Sequence, residues 1–333
     1  MVTPAPAPAL PGISEGLQAR LDAGLAAVEA LLAERVDHTD PFIAEANTHL
    51  LQAGGKRFRP LLALLAAELG EGINEQVIAA AAGVELTHLA SLYHDDVMDE
   101  AATRRGAPSA NAKYDNSTAI LVGDLLFGTA SDVIADLGPE AVKIQSQTFI
   151  RLCSGQIRDD RPCPPDQDPH AYYLGVLADK TGVLIATAAR YGALLSGASR
   201  EVIDLLIEYG ERIGIAFQLA DDLIDVASEE EVLGKAPGTD IREGKRTLPI
   251  IYALASADPA DARLLELLRV PGPNDDQVAE ALTLLRVHPA MDRARAETVA
   301  MARSANDLLS GLPAGEVRDA LAELALRVVA RDA

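Results

Sequence analysis

One acidic signature occurs twice in this chain, as DDVMD from Asp95 to Asp99 and as DDLID from Asp221 to Asp225. Each copy sets three carboxylates at i, i+1 and i+4. On a helix, i and i+4 stack on one face and i+1 flanks them. Three like charges within one turn repel, so each cluster is costly unless a cation neutralises it. Two facing clusters of this kind would form an all-oxygen site for several Mg²⁺ ions, with room for a diphosphate between them. A solvated helix end is the plain alternative for a single copy. The largely apolar flanks, ELTHLASLY before the first copy and GIAFQLA before the second, argue that both copies end packed helices.

Composition points the same way. Ala and Leu dominate the apolar residues, Trp is absent, and Phe, Trp and Tyr together reach only 4%. Ala and Leu favour helix, whereas strands draw on aromatic and β-branched residues. The expected fold class is therefore all-α. At 333 residues the chain can bury a large core. Residues 1–12 read as a flexible Pro/Ala-rich arm and residues 13–333 as a single helical domain.

The net charge of -21 disfavours non-specific binding to nucleic acid or to anionic membranes. An anionic substrate stays open, because a local group of Lys, Arg and Mg²⁺ reverses the sign. Cys153 and Cys163 form neither a CxxC nor a zinc pattern, which suits a reducing, cytoplasmic setting. The N-terminus lacks the basic and apolar regions of a signal peptide. No apolar run is expected to reach the ~20 residues that span a bilayer.

The pattern predicts helices over residues 13–34, 41–52, 61–69, 75–100, 117–136, 139–160, 170–195, 200–227 and 247–256, with more after 274. Gly54-Gly55 breaks the chain before Lys56-Arg57-Phe58-Arg59-Pro60. Residues 102–110, 161–169 and 228–247 read as loops.

Basic residues group near the acids. Lys56 and Arg59 follow the Gly-Gly break, and Arg104 and Arg105 follow DDVMD. Lys235, Lys245 and Arg246 lie in or beside the loop after DDLID. Guanidinium forks match phosphate oxygens and Lys supplies a point charge. Arg57 is expected at the surface. Lys180 either snorkels from a core face or serves a substrate, and the following Thr181-Gly182 would let its helix bend and expose a carbonyl. Gln218 shares a face with the second acid cluster, and His88 lies two turns before Asp95; an ordinary polar helix residue and a satisfied core histidine are the alternatives. Such a site suits ionising an organic diphosphate.

With these residues in place, the chain closely resembles the trans-isoprenyl diphosphate synthase (polyprenyl synthetase) family. The resemblance spans roughly residues 15–330. Its strings are GGKRFRP (54–60), THLASLYHDDVMDEAATRRG (87–106), GDLLF (123–127), GQ (155–156), KTG (180–182), FQLADDLID (217–225) and GKAPGTDIREGKRTLP (234–249). It implies the isoprenoid synthase fold, a helical bundle around a deep cavity, and a homodimer. It implies that Asp95, Asp96, Asp99, Asp221, Asp222 and Asp225 bind Mg²⁺, about three ions per site with Mn²⁺ able to substitute. In the family the second cluster meets metal mainly through its first Asp.

The resemblance further implies that Lys56, Arg59, His88 and Arg105 bind isopentenyl diphosphate. Arg104, Lys180, Lys235 and Lys245 would contact the allylic diphosphate. Thr181, Gln218 and the Lys180 carbonyl would steady a carbocation; Gln156 and Asp240 match positions near the acids. The implied reaction is head-to-tail 1'-4 condensation, with the proton lost to the departed pyrophosphate. Along the helix that ends in DDVMD, Ala90 and Ser91 stand where short-chain members often carry an aromatic plug, and Thr87 and Val84 lie deeper. Small residues there favour a C30 to C50 product, as for a menaquinone side chain, with C20 or C15 as the alternative. A terpene cyclase would carry a different second motif. A non-enzymatic partner subunit would show lost acids or bases, and none is lost here.

Overall fold

The structure is a computed structural model and describes residues 12–227 and 237–330. Helix signals translate into helices with small shifts at the ends. The first, α1, runs Glu15–Val36 behind a Ser14 cap whose hydroxyl accepts from Leu17 N. Asp40 caps α2, Pro41–Gln52, with Pro41 in its first turn. Helix α3 spans Phe58–Ala67, starting two residues before Pro60, and α4 spans Glu75–Met98 behind an Asn74 cap. After α4 the expected loop contains a short antiparallel pair, β1 (Thr103–Arg104) and β2 (Ala107–Pro108). Arg105 and Gly106 turn it with φ of 54° and 77°, the left-handed pair that a two-residue hairpin needs.

A short α5, Ala110–Lys113, leads into α6, Asn116–Ala135, and α7, Pro139–Asp159. The expected helix over 170–195 is three pieces: α8 (Pro169–Leu177), one π-helical turn (Ala178–Gly182) and α9 (Val183–Leu195). The bend expected at Thr181-Gly182 is therefore a π-turn, a form that inserts one residue and gathers at functional sites. Helix α10 spans Arg200–Ala227. Short helices at Thr239–Glu243 and Leu248–Leu254 follow, and Asp275–Arg286, Pro289–Leu308 and Glu316–Val329 are the longer helices that close the chain. The expected arm lies outside the described residues except at Gly12, and so does Lys235.

The chain groups into two compact units. The first takes residues 1–149, 184–208 and 311–321; the second takes 150–183, 209–310 and 322–333. In the first, α4 packs against α6, α3 and α1. Its close approaches are made by small residues: a Cβ on Gly192 would fall within 2.0 Å of the Ala63 carbonyl oxygen. In the second, Leu219, Leu223 and Val226 of α10 join Tyr173, Leu177, Ile250, Tyr252, Leu267, Leu282 and Met291 in one core.

One expectation needs correction. Helix α6 is long and apolar enough to cross a membrane by length and composition, with a mean hydropathy of 1.5. The reason is an apolar stripe at helical spacing, Ile120, Leu121 and Leu125, that stays exposed in addition to the buried side.

Candidate active site

The first acid cluster closes α4 in the first unit. Asp96 is fully buried and is paired with Arg104 Nε at 2.6 Å. Asp95 is half-buried on the same turn. Asp99 is the exposed C-cap residue. The hairpin thus does what its place in sequence suggests: it returns Arg104 onto the acids. Arg105 turns toward the Gly-Gly break, where Nη1 donates to the carbonyls of Gly54 and, at 3.3 Å, of Leu50. A Cβ on Gly55 would lie 2.7 Å from Arg57 Nη1 and 2.9 Å from Arg105 Nη1. At its φ of 152° Gly55 leaves that space to the two guanidinium groups.

Arg59 and His88 complete the group. Arg59 is half-buried, yet its buried Nε has no hydrogen-bond partner. Burial lowers its pKa to about 10, against the pull of Glu85, and Arg105 adds to the lowering. Burial, then Arg59, Arg105, Arg104 and Arg57 in turn, hold the His88 imidazole well below its ordinary value of 6.5. Lys56 lies exposed on the same turn. Four of these side chains were grouped from sequence, and the orphaned guanidinium N–H is what an arriving anion would satisfy.

Arg57 departs from expectation. It is not a surface residue: its side chain is 11% exposed and is paired with Glu29 and Glu85. Sequence reading could not see this, because Glu29 comes from α1 and Glu85 from α4.

The second acid cluster lies on α10 in the second unit. Tyr173 OH donates to Asp222 Oδ2, and Gln218 Nε2 donates to Oδ1 at 3.0 Å. Thr181 Oγ1 donates to Gln218 Oε1 at 3.3 Å, so Thr181, Gln218 and Asp222 form one chain. Burial pushes the Asp222 carboxyl up to about 7, with the Tyr173 and Gln218 hydrogen bonds opposing and the Asp221 and Asp159 charges adding. Asp225 is also buried and accepts from Asp240 N at 3.2 Å, while its carbonyl accepts from Gly238 N. The loop that carries Lys245 is therefore folded back onto Asp225. Asp221 is half-buried beside them.

Two expected basic residues meet on a carboxylate that the sequence reading had not assigned. Lys180 Nζ bonds Asp159 Oδ2 at 2.7 Å, and Lys245 Nζ bonds the same oxygen at 3.0 Å. Lys245 also reaches Asp160 at 2.9 Å, and Gln156 Nε2 reaches Asp160 at 3.3 Å. Burial would raise the Asp159 carboxyl, but the Lys180 and Lys245 charges win and hold it below the usual range. Gly155 permits this meeting, since a Cβ there would come within 2.5 Å of Lys180 N. The signal available in sequence was the pair Asp159-Asp160 ending a helix before a proline-rich loop.

The deeper positions on α4 divide. Ser91 is half-buried, whereas Ala90, Thr87 and Val84 are fully enclosed. Tyr93 points away, its OH donating to the Ala46 carbonyl.

Among the described residues, no three His, Cys, Asp or Glu side chains stand as a ready-made metal group. The donor chemistry still fits a hard divalent ion, which takes carboxylate oxygens. Asp96 is paired with Arg104 in the first unit, and Asp222 and Asp225 are hydrogen-bonded within the second.

The polyprenyl synthetase profile matches residues 40–285. The chain belongs to the polyprenyl synthetase family. A nonaprenyl diphosphate synthase of Mycobacterium tuberculosis is 46% identical over 98% of this chain and 98% of that protein. A geranylgeranyl pyrophosphate synthase of Corynebacterium glutamicum, solved with calcium and isoprenyl diphosphate, superposes with a TM-score of 0.86 at 43% identity, covering 97% of this chain and 99% of that one. A decaprenyl diphosphate synthase of Rhodobacter capsulatus superposes at 0.87 with 34% identity, over 95% and 98%. Polyprenyl synthetases therefore share this helical fold along nearly the whole chain.

Proposed function

We propose that this chain is a Mg²⁺-dependent trans-polyprenyl diphosphate synthase, a prenyltransferase that joins isopentenyl diphosphate head-to-tail (1'-4) to an allylic diphosphate. The observation that carries the reading is the arginine group in the first unit. Arg59 holds a buried N–H without a protein partner, beside Arg105 and a His88 whose pKa is lowered first by burial and then by its cationic neighbours. A diphosphate supplies the oxygens such a group lacks. On this reading Lys56, Arg59, His88 and Arg105 bind isopentenyl diphosphate. Arg104, Lys180 and Lys245, with Lys235 from outside the described residues, bind the allylic diphosphate.

Asp95, Asp96 and Asp99, with Asp221, Asp222 and Asp225 of the second cluster and mainly Asp221, would hold Mg²⁺, whose charge would offset that of the departing diphosphate. About three ions per site and replacement by Mn²⁺ belong to this reading. Thr181 and Gln218 present fixed dipoles to the developing cation, with Asp222 and Tyr173 orienting Gln218. The departing pyrophosphate takes the proton, so no side chain is assigned as base. Residues 13–333 would act as one functional domain in the cytoplasm.

We also propose a homodimer. Helix α6 leaves Ile120, Leu121 and Leu125 exposed, Leu121 at 66%, and a Cβ on Gly128 meets nothing within 4 Å. An apolar stripe of this kind is what a second copy would cover. Light scattering during size exclusion tests the mass directly.

Small side chains at Ala90 and Ser91 support a C30 to C50 product, the length used for quinone side chains such as menaquinone's, and the nonaprenyl and decaprenyl names of similar proteins agree. A geranylgeranyl product is the second reading, favoured by the Corynebacterium structure. The test is incubation with Mg²⁺, isopentenyl diphosphate and farnesyl diphosphate, followed by mass spectrometry of the dephosphorylated products. Products of C30 or longer support the first reading and arrest at C20 the second. No elongation by the purified chain would mean that a partner subunit is required.

A further inference from the structure

Arg57 and Arg59 are two residues apart, yet the structure uses them in opposite ways. Every nitrogen of the Arg57 guanidinium is engaged by the protein. Its Nε donates to Glu29, Nη1 to Glu85 and to the Gly54 carbonyl at 3.3 Å each, and Nη2 to the Leu51 carbonyl at 3.3 Å. Arg59 by contrast keeps a buried Nε without a partner. An arginine whose three nitrogens are all engaged within the fold has little to offer a ligand; one with an orphaned buried nitrogen does.

Arg57 is also held in the left-handed region, φ 47° and ψ 37°, as the residue before α3. That conformation is unfavourable for a residue with a Cβ, so the surroundings must impose it. The ion pairs supply the constraint. Glu85 is a carboxylate only 3% exposed, on α4 one turn before His88, and Glu29 reaches over from α1. Two helices thus grip the middle of the turn that carries Lys56 on one side and Arg59 on the other. Glu85 has a second effect: its charge pulls on Arg59 and Arg105 as well as on Arg57.

We propose that Arg57 and Glu85 are positioning residues for the isopentenyl diphosphate subsite. Clamped by Glu85 and Glu29, Arg57 fixes the turn that aims Lys56 and Arg59, and it does not touch the diphosphate. Glu85 is the buried counter-charge that lets Arg57, Arg59 and Arg105 stand together before the ligand arrives. This rests on the assignment of Lys56, Arg59, His88 and Arg105 to isopentenyl diphosphate.

Steady-state kinetics of three variants of the full chain test it, with each substrate varied in turn. Arg57→Gly accepts positive φ freely but removes the clamp. Glu85→Gln keeps shape and removes the charge. Arg59→Ala is the control for the subsite. The expected result is a rise of about tenfold in KM for isopentenyl diphosphate in Arg57→Gly and Glu85→Gln, with KM for the allylic diphosphate changed less than about twofold. Unchanged KM values in both, beside a raised value in Arg59→Ala, would overturn the clamp and leave the subsite standing. Parallel loss of kcat and of folded protein, with no bias toward one substrate, would also overturn it. An Arg59→Ala variant with normal KM for isopentenyl diphosphate would instead remove the subsite assignment. If Arg57→Gly does not fold, the isosteric Glu85→Gln decides the matter alone.

Discussion

The side-chain amide of Gln145 donates to the hydroxyl of Thr87 at 2.7 Å, and both side chains are buried. The Thr87 hydroxyl in turn donates to the Gly83 carbonyl at 2.8 Å, so its hydrogen-bonding capacity is engaged on both sides. One turn nearer the acids, Ser91 is half-buried, and its hydroxyl turns back to the His88 carbonyl. Side chains along this face of α4 thus pass from partly open at Ser91 to closed at Thr87, where Gln145 of α7 bridges to it. That bridge was invisible in the α4 sequence, which shows only a small residue.

Ser91 is therefore the position at which an added aromatic ring should act. Ser91→Phe is expected to shift the main product shorter by at least two isoprene units, with turnover of the first condensation kept within about threefold. Mass spectrometry of the dephosphorylated products checks it. An unchanged distribution would mean that the growing chain does not run along this face of α4.

Asp159 holds Lys180 and Lys245 on one oxygen. Asp159→Asn would leave two half-buried ammonium groups without their shared counter-charge. Its expected cost is about 1–3 kcal/mol in urea unfolding at pH 7, since it strands Lys180 while Lys245 keeps Asp160. A midpoint within error of the parent would show that solvent screens the trio.

The two acids that begin DDLID should behave differently toward metal. Asp222 is committed to Tyr173 and Gln218, and its carboxyl is pushed up to about 7, first by burial. Asp221→Asn is expected to raise the Mg²⁺ concentration for half-maximal activity by about tenfold or more. Asp222→Asn should lower kcat through the displaced Gln218 and move the Mg²⁺ requirement by less than about threefold. Equal shifts in the two variants would place both acids on the metal.

The helices were legible because helix signals are local. Residues 200–227 carry apolar periodicity and α10 occupies that same span, while α6 and α7 end within a residue or so of expectation. The metal and phosphate residues were legible for a different reason: their types and spacings state their chemistry. What sequence hid depends on partners far along the chain. Arg57 reads as a surface base until Glu29 and Glu85 are seen to enclose it. Asp159 reads as a helix end until Lys180 and Lys245 arrive from 21 and 86 residues away. The apolar stretch of α6 was missed because Asp124 and Asp132 interrupt it in sequence.

His88 gives the protein an acid-sensitive point. Burial and the cationic neighbours Arg59, Arg105, Arg104 and Arg57 hold its pKa well below the ordinary 6.5, and Glu85 on the same helix is the buried carboxylate of this group. The unfolded chain binds that proton more readily than the folded one, so stability is full above pH 6.5 and falls as pH drops below it. At pH 5.5 the loss from this one group is up to about 1.4 kcal/mol. His88→Gln removes it, so the stability difference between parent and variant should move in the variant's favour between pH 7.5 and 5.5. Thermal unfolding across that range measures the difference. Adding isopentenyl diphosphate should shrink the pH-dependent part, because its negative charge offsets the guanidinium groups that add to burial in lowering the imidazole's pKa. A difference that stays flat with pH would mean that His88 keeps its ordinary affinity for protons in the folded chain. A difference that moves toward the parent would mean that His88 is charged, and that it serves the diphosphate as a cation from the start.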